Sequence, residues 1–217
     1  MGIREKLQQS QAELFERSGA RSVMSLPNEG PEIAALRQSV DPGFEDGKLR
    51  LHVGGRVARE GWKILDVRKR PEVDFVGDCC DLSRFSAGSV WVIYASHVLE
   101  HLRYRDELST ALSEFRRVLV PDGQLLVSVP DFRGLCRAFL EPSLDIGARC
   151  SIMRAIFGAQ DDEHDEHKAG LWDELLVALL HEAGFHDVRK VPLFGIFADA
   201  STLMLGNRFF SLNFVAK

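Results

Sequence analysis

An α/β domain with a mostly parallel sheet is what this chain predicts, and three observations carry the prediction. From Lys48 onward, short β-branched and apolar runs alternate with stretches of helical spacing. The run Val90-Trp91-Val92-Ile93-Tyr94 is apolar throughout, as in a strand buried on both faces of a parallel sheet. Two earlier runs close on an acid, Asp66 and Asp78. Ligands of open α/β sheets sit beyond the carboxyl ends of the strands, so such acids mark candidate binding positions.

The elements follow in order. Residues 1 to about 20 read as an amphipathic helix, with Ile3, Leu7, Ala12 and Leu14 interrupting charge. Pro27-Asn28-Glu29-Gly30-Pro31 is a breaker cluster, and Pro31 is placed to begin a short helix, PEIAALRQSV, that Asp41-Pro42-Gly43 ends. Leu49, Leu51 and Val53 alternate with Arg50 and His52 as a first strand, closed by Gly54-Gly55. Lys63–Val67 and Val73–Asp78 are the second and third, and the Val90 strand is the fourth, ending near Ala95-Ser96. A helix over Asp106–Leu119 follows from Leu108, Leu112, Phe115 and Leu119. Pro121-Asp122-Gly123 reads as a turn before a fifth strand, Gln124–Val129. Leu171–Glu182 is a helix with a glycine stop at Gly184, and Val188–Val191 and Ser211–Ala216 are the last strands. Residues 1–46 are thus expected to be an N-terminal helical extension. The main domain spans 47–217, with 133–170 inserted as a cap or substrate segment.

Composition narrows the function. The chain has 217 residues, 45% hydrophobic and 27% charged, which suits one globular domain with an extension. A net charge of −5 argues against binding duplex nucleic acid. No run approaches the roughly 18 apolar residues of a membrane span, and the polar opening MGIREKLQQSQ is no secretory signal. Lys6 stands where a Gly2 myristoylation motif asks for Ser or Thr. Cys79, Cys80, Cys136 and Cys150 form no C-x-x-C pair, so a cytoplasmic chain without a structural metal is expected.

Six segments stand out along the chain, in this order: LHVGG (Leu51–Gly55), GWKILDV (Gly61–Val67), VGDCCDL (Val76–Leu82), IYASHVLEHL (Ile93–Leu102), EFRRVLVPDGQLLVSVPD (Glu114–Asp131) and LLHEAGF (Leu179–Phe185). In that order the chain resembles class I S-adenosylmethionine-dependent methyltransferases, most of all their type 11 branch. The resemblance implies a Rossmann-like methyltransferase fold with strand order 3-2-1-4-5-7-6 and the last strand antiparallel. It implies S-adenosylmethionine as cofactor, S-adenosylhomocysteine as product, and a small-molecule or sugar-like acceptor. It also implies the cofactor-binding residues Gly54, Gly55, Asp66, Val67, Asp78, Cys79, Ser96 and His97. Gly54 and Gly55 would let backbone approach the ligand. Asp66 would accept the ribose hydroxyls. Asp78 would accept from the adenine amino group while the Cys79 N–H bonds the ring. Ser96 and His97 would lie beside the methionine portion. His97 is also the candidate general base, needed only when the acceptor must lose a proton, and His101 stands behind it. No nucleic acid or membrane is implied as a partner, and a homodimer is left open.

Other readings stand beside this one. Only Arg56–Gly61 separates the glycine pair from Trp62, whereas a crossover containing its helix takes about 10–12 residues, so that helix is expected to be absent. The shortening favours a second reading, a degenerate subunit without catalysis. HVLEH (His97–His101) also matches the zinc motif H-x-x-E-H, in which two His one helical turn apart would make a zinc hydrolase. The run DDEHDEH (Asp161–His167) reads as a solvated loop, a loose metal site or part of a lid. Trp62 and Trp91 read as core, and Cys79-Cys80 as small apolar filler.

Overall fold

The computed structural model describes residues 31–41, 47–160, 162–202, 204–205 and 208–217. The helix expected over residues 1–20 lies outside them. Pro31–Val40 forms α1, matching the helix expected there. Its last residue, Val40, is buried, and Arg37 Nε donates to the Gly195 carbonyl at 2.6 Å, so α1 packs onto the main domain.

A seven-stranded sheet organises the rest. Its strands are β1 (Leu49–Val53), β2 (Lys63–Asp66), β3 (Phe75–Val76), β4 (Val90–Ser96), β5 (Leu119–Pro130), β6 (Val188–Val191) and β9 (Ser211–Ala216). They run in the order β3-β2-β1-β4-β5-β9-β6, the expected 3-2-1-4-5-7-6 once β9 is counted as the sheet's seventh strand. β1 to β5 are parallel, and β9 is antiparallel to both β5 and β6. A separate pair, β7 (Met204–Leu205) and β8 (Arg208–Phe209), precedes β9.

Two strands differ from expectation. The third strand shrinks to two residues: beside it the Asp74 N–H still donates to Ile64 O at 3.1 Å, while its carboxylate accepts the Ile64 N–H at 2.9 Å and pairs with Lys63 at 2.7 Å. The Pro121-Asp122-Gly123 turn is absorbed into β5 as an excursion. Val90 pairs with Leu119 and Val92 with Gln124, so five residues of β5 span two of β4.

The helices bury one stripe each. In α2 (Glu107–Val118), Leu108, Leu112, Phe115 and Val118 pack on the sheet, and the Asp106 carboxylate accepts the Glu107 N–H at the start. α3 (Phe132–Phe139) and α4 (Ile146–Phe157) form the insert. α5 (Asp173–Glu182) begins two residues later than expected, and Gly184, at φ +94°, supplies the left-handed turn that ends it.

The two sheet faces are covered differently. One carries α2 and α5 over Leu51, Leu65, Ile93 and Leu125. On the other, no helix lies between β1 and β2, as expected. Val40 of α1 and the loop residues Phe194, Ile196 and Phe197 cover Trp62, Val92, Tyr94 and Leu126 there. A clipped crossover would leave that face wet, and the late aromatic loop seals it.

Candidate functional site

Four adjacent parallel strands, β3-β2-β1-β4, end on one edge of the sheet. The ladder pairs Val53 with Leu65 and with Ala95, and Asp66 with Val76. Gly54, Asp66, Asp78 and Ser96 therefore follow or close neighbouring strands along one rim. Strand order reverses between β1 and β4, which is where open α/β sheets leave a crevice.

At the glycines, geometry shows what the missing side chains avoid. Gly54 has φ +72°, its N–H donates to Leu65 O at 2.8 Å, and a Cβ there would lie 2.7 Å from Val98 Cγ2. A Cβ on Gly55 would lie 2.7 Å from His52 Nδ1. Both glycines are thus required by the protein's own packing, and neither Cβ would point into open space.

Asp66 is buried and engaged. Its Oδ1 accepts the Arg68 N–H at 2.7 Å, and Oδ2 accepts from Arg70 at 2.9 Å. The same Arg70 nitrogen donates to Gly55 O at 2.9 Å, so one guanidinium bridges the first and second strand ends. Arg70 Nε also pairs with Glu72 at 2.7 Å. Beside this bridge, Val67 and Val76 are each 45% exposed, an apolar step on the rim next to two carboxylates. Asp78 is exposed, with Oδ1 accepting the Cys80 N–H at 2.8 Å, and Cys79 is buried behind it. The Ser96 hydroxyl is buried without a partner in hydrogen-bond geometry.

His97 follows β4 at φ +54°, a conformation costly for a residue with a side chain and found preferentially at functional sites. Its Nε2 lies 2.9 Å from Ser211 Oγ, and its Nδ1 lies 3.1 Å from Glu100 Oε1. Glu100 is 1% exposed, and neither of its oxygens has a partner in hydrogen-bond geometry. Burial works to raise the Glu100 carboxyl, but the His97, His101 and His167 imidazoles outweigh it and hold the group below its ordinary value. The helix expected to present His97 and His101 on one face is instead a single 3-10 turn, Leu99–His101, with His97 outside it. The two imidazoles are accordingly not a one-face pair, and His97 is held by Ser211 and Glu100.

The insert reaches this rim on two sides. Arg68 pairs with Asp162 at 2.5 Å, and the Lys168 and Ala169 N–H groups donate to Glu100 O at 2.7 and 3.0 Å. His101 Nδ1 lies 3.1 Å from Glu166 O, and the His101 and His167 rings meet edge-on with centroids 4.7 Å apart. Residues 162–167 of the acidic run are mostly exposed and meet the rim through Asp162, Glu166 and His167, while Asp161 lies outside the described residues. Sequence reasoning missed Arg70 and Ser211: Arg70 stands four residues beyond Asp66, but no spacing shows its guanidinium reaching back to Gly55 O, and Ser211 comes from a strand 114 positions beyond His97. Two clefts, of about 320 and 770 Å³, lie by contrast near the amino ends of the strands, lined by Lys48 and Trp91 and by Arg59, Trp62 and Lys63.

Comparison with known proteins agrees with the topology. The family described as "Methyltransferase domain" matches residues 59–127, which carry β2, β3, β4, α2 and the first part of β5. A solved structure of a SAM dependent methyltransferase from Archaeoglobus fulgidus is 19% identical, with 94% of this chain and 98% of that one covered and a TM-score of 0.56. A chain in a complex containing the Haloferax volcanii Trm112 methyltransferase activator is 15% identical over 84% of this chain and 87% of that one, with a TM-score of 0.50. The Burkholderia thailandensis 1,6-didemethyltoxoflavin-N1-methyltransferase, solved with S-adenosylhomocysteine, is 13% identical over 100% and 90%, with a TM-score of 0.48. No curated protein sequence matches. The chain thus has the fold of class I methyltransferases, and residues 59–127 match the family described as "Methyltransferase domain".

Proposed function

We propose that this chain, built on the class I methyltransferase fold, transfers a methyl group from S-adenosylmethionine to a small-molecule or sugar-like acceptor in the cytoplasm. One observation carries the reading: Gly54, Asp66, Asp78 and Ser96 share a single rim at the strand-order reversal. The rim's chemistry fits an adenosyl group. Asp66 and Asp78 offer carboxylate acceptors, Val67 and Val76 an apolar seat, and the buried Ser96 hydroxyl an unused polar group. The cofactor supplies an activated methyl on a sulfonium. The chain's share is to hold donor and acceptor in line, which provides much of the barrier reduction in such displacements.

His97 is the group to take a proton when the acceptor is a hydroxyl or amine. In that step Nδ1–H donates to Glu100 Oε1 at 3.1 Å, which stabilises the imidazolium that forms, and Nε2 gives up its contact with Ser211 Oγ to take the proton. His97→Ala is expected to lower kcat by about 10²–10⁴-fold on such an acceptor.

Calorimetric titration with S-adenosylmethionine and S-adenosylhomocysteine tests the reading, with Asp66→Asn expected to weaken both at least tenfold. The Arg70 bridge favours a second reading, a partner subunit that binds no cofactor, because the guanidinium occupies the acid a ribose would use. Absence of heat with either ligand in folded protein decides for that second reading.

A further inference from the structure

Beside the rim, the structure gathers a set of donors that includes Glu100, the carboxylate behind His97. Glu100, His101 and His167 bring one ligand atom each to within 4.8 Å of one another. From these three we infer a zinc site that clasps the insert to the turn after β4, with water as the fourth ligand.

The carboxylate is the first reason. Glu100 is 1% exposed, and its oxygens lack partners in hydrogen-bond geometry. An ionised carboxylate so buried needs a cation or a metal to offset the lost hydration. His97 approaches Oε1 at 3.1 Å, which leaves Oε2 without a hydrogen-bond donor.

The second reason is that the imidazoles are set up as ligands. A carbonyl only accepts, so the His101 Nδ1 contact to Glu166 O at 3.1 Å puts the proton on Nδ1 and leaves the Nε2 lone pair available. A backbone carbonyl behind a ligating imidazole is the usual arrangement that orients the ring at a metal. The His167 ring stands edge-on to His101 with centroids 4.7 Å apart, which brings a second imidazole to the same place.

The third reason is the choice of metal. Two imidazoles with one carboxylate form a known zinc donor set that leaves one position for water. Donors around tetrahedral zinc are about 3.3 Å apart, so the two rings draw inward on binding. This arrangement differs from the H-x-x-E-H pattern in the sequence: His97 is not a ligand, and the second imidazole comes from the insert, 66 positions beyond His101. This proposal departs from the expectation of a chain without a structural metal.

Chelator-treated full-length protein titrated with zinc chloride against a chromophoric chelator tests the site. One equivalent is expected, with a rise in Tm on zinc addition and none with magnesium. His101→Ala and His167→Ala should each weaken zinc binding by at least about 100-fold. His164→Ala, on the exposed part of the same run, should leave it unchanged. If an alanine variant does not fold, His167→Gln carries the test. Failure of the folded wild type to take up zinc overturns the inference. So does full retention in the His101 and His167 variants, or equal loss in His164→Ala. Cofactor titration reads the rim independently, so either proposal can fail alone.

Discussion

His52 shows how a single residue sets a pH limit on the whole fold. It sits in the middle of β1 with its ring centroid 4.1 Å from Phe197 and 5.0 Å from Tyr94, and Nδ1 has no hydrogen-bond partner. Burial pushes its pKa down from 6.5 to about 4, against weaker upward pulls from Asp199 and Asp66. The unfolded chain therefore takes up a proton below pH 6.5 that the folded chain refuses until about pH 4. Stability is full above that window and falls as pH drops through it, by about 3 kcal/mol at the lower end. Urea titrations at pH 7.5 and 4.5 should show the loss, and His52→Phe should shrink it. Arg70 makes a second prediction at this scale. Removing its guanidinium in Arg70→Ala frees Asp66 Oδ2 and is expected to tighten S-adenosylhomocysteine up to about tenfold, read by calorimetry. Weaker binding would make Arg70 a support of the rim instead of a competitor for it.

Among the elements, β1 carries the most constraint for its length. Its five residues pair with β2 and β4, and both of its faces are covered. The alternation of Leu49, Leu51 and Val53 with Arg50 and His52 was legible in sequence, as was the missing crossover helix. That Arg50 and His52 are buried was not, because Phe197 and Asp41 lie far from or outside the strand pattern. Arg50 pairs with Asp41 at 2.5 Å and lies over the Trp62 ring at 4.3 Å, with only 6% of its side chain exposed. Removing one partner of so buried a pair leaves an uncompensated charge, so Asp41→Ala should cost about 3 kcal/mol in denaturant unfolding. Where β1 ends, Gly54→Ala meets a left-handed backbone and the Val98 contact at 2.7 Å together. It should cost about 2 kcal/mol or more, and Gly47→Ala, also left-handed but with nothing within 4 Å, should cost less.

Across the molecule, local pattern and long-range contact divide what could be read. Strand runs, the helix over Glu107–Val118 and the rim positions Asp66 and Ser96 follow from periodicity and from where strands end. The Arg70 bridge, the Ser211 contact to His97 and the descent of the insert onto Glu100 do not, since each depends on side chains meeting across separate segments. No helix among the described residues is long and apolar enough to cross a membrane. The insert joins the rim through Arg68–Asp162 on one side and through Glu100 O on the other. The Arg68–Asp162 pair has side chains 26% and 51% exposed, so it contributes little by itself and opens readily. The Glu100 carbonyl, taking both the Lys168 and Ala169 N–H groups, is the firmer tie. A ligand held between Asp66 and Ser96 would lie under that bridge and make its opening costlier. Saturating S-adenosylhomocysteine should therefore slow hydrogen exchange at the Lys168 and Ala169 amides and slow proteolysis within 162–167. The exchange of Ile93 and Leu126, in the sheet centre, should change far less. Saturated protein in which the insert exchanges as fast as before would show that 158–170 is no lid, even with the cofactor bound.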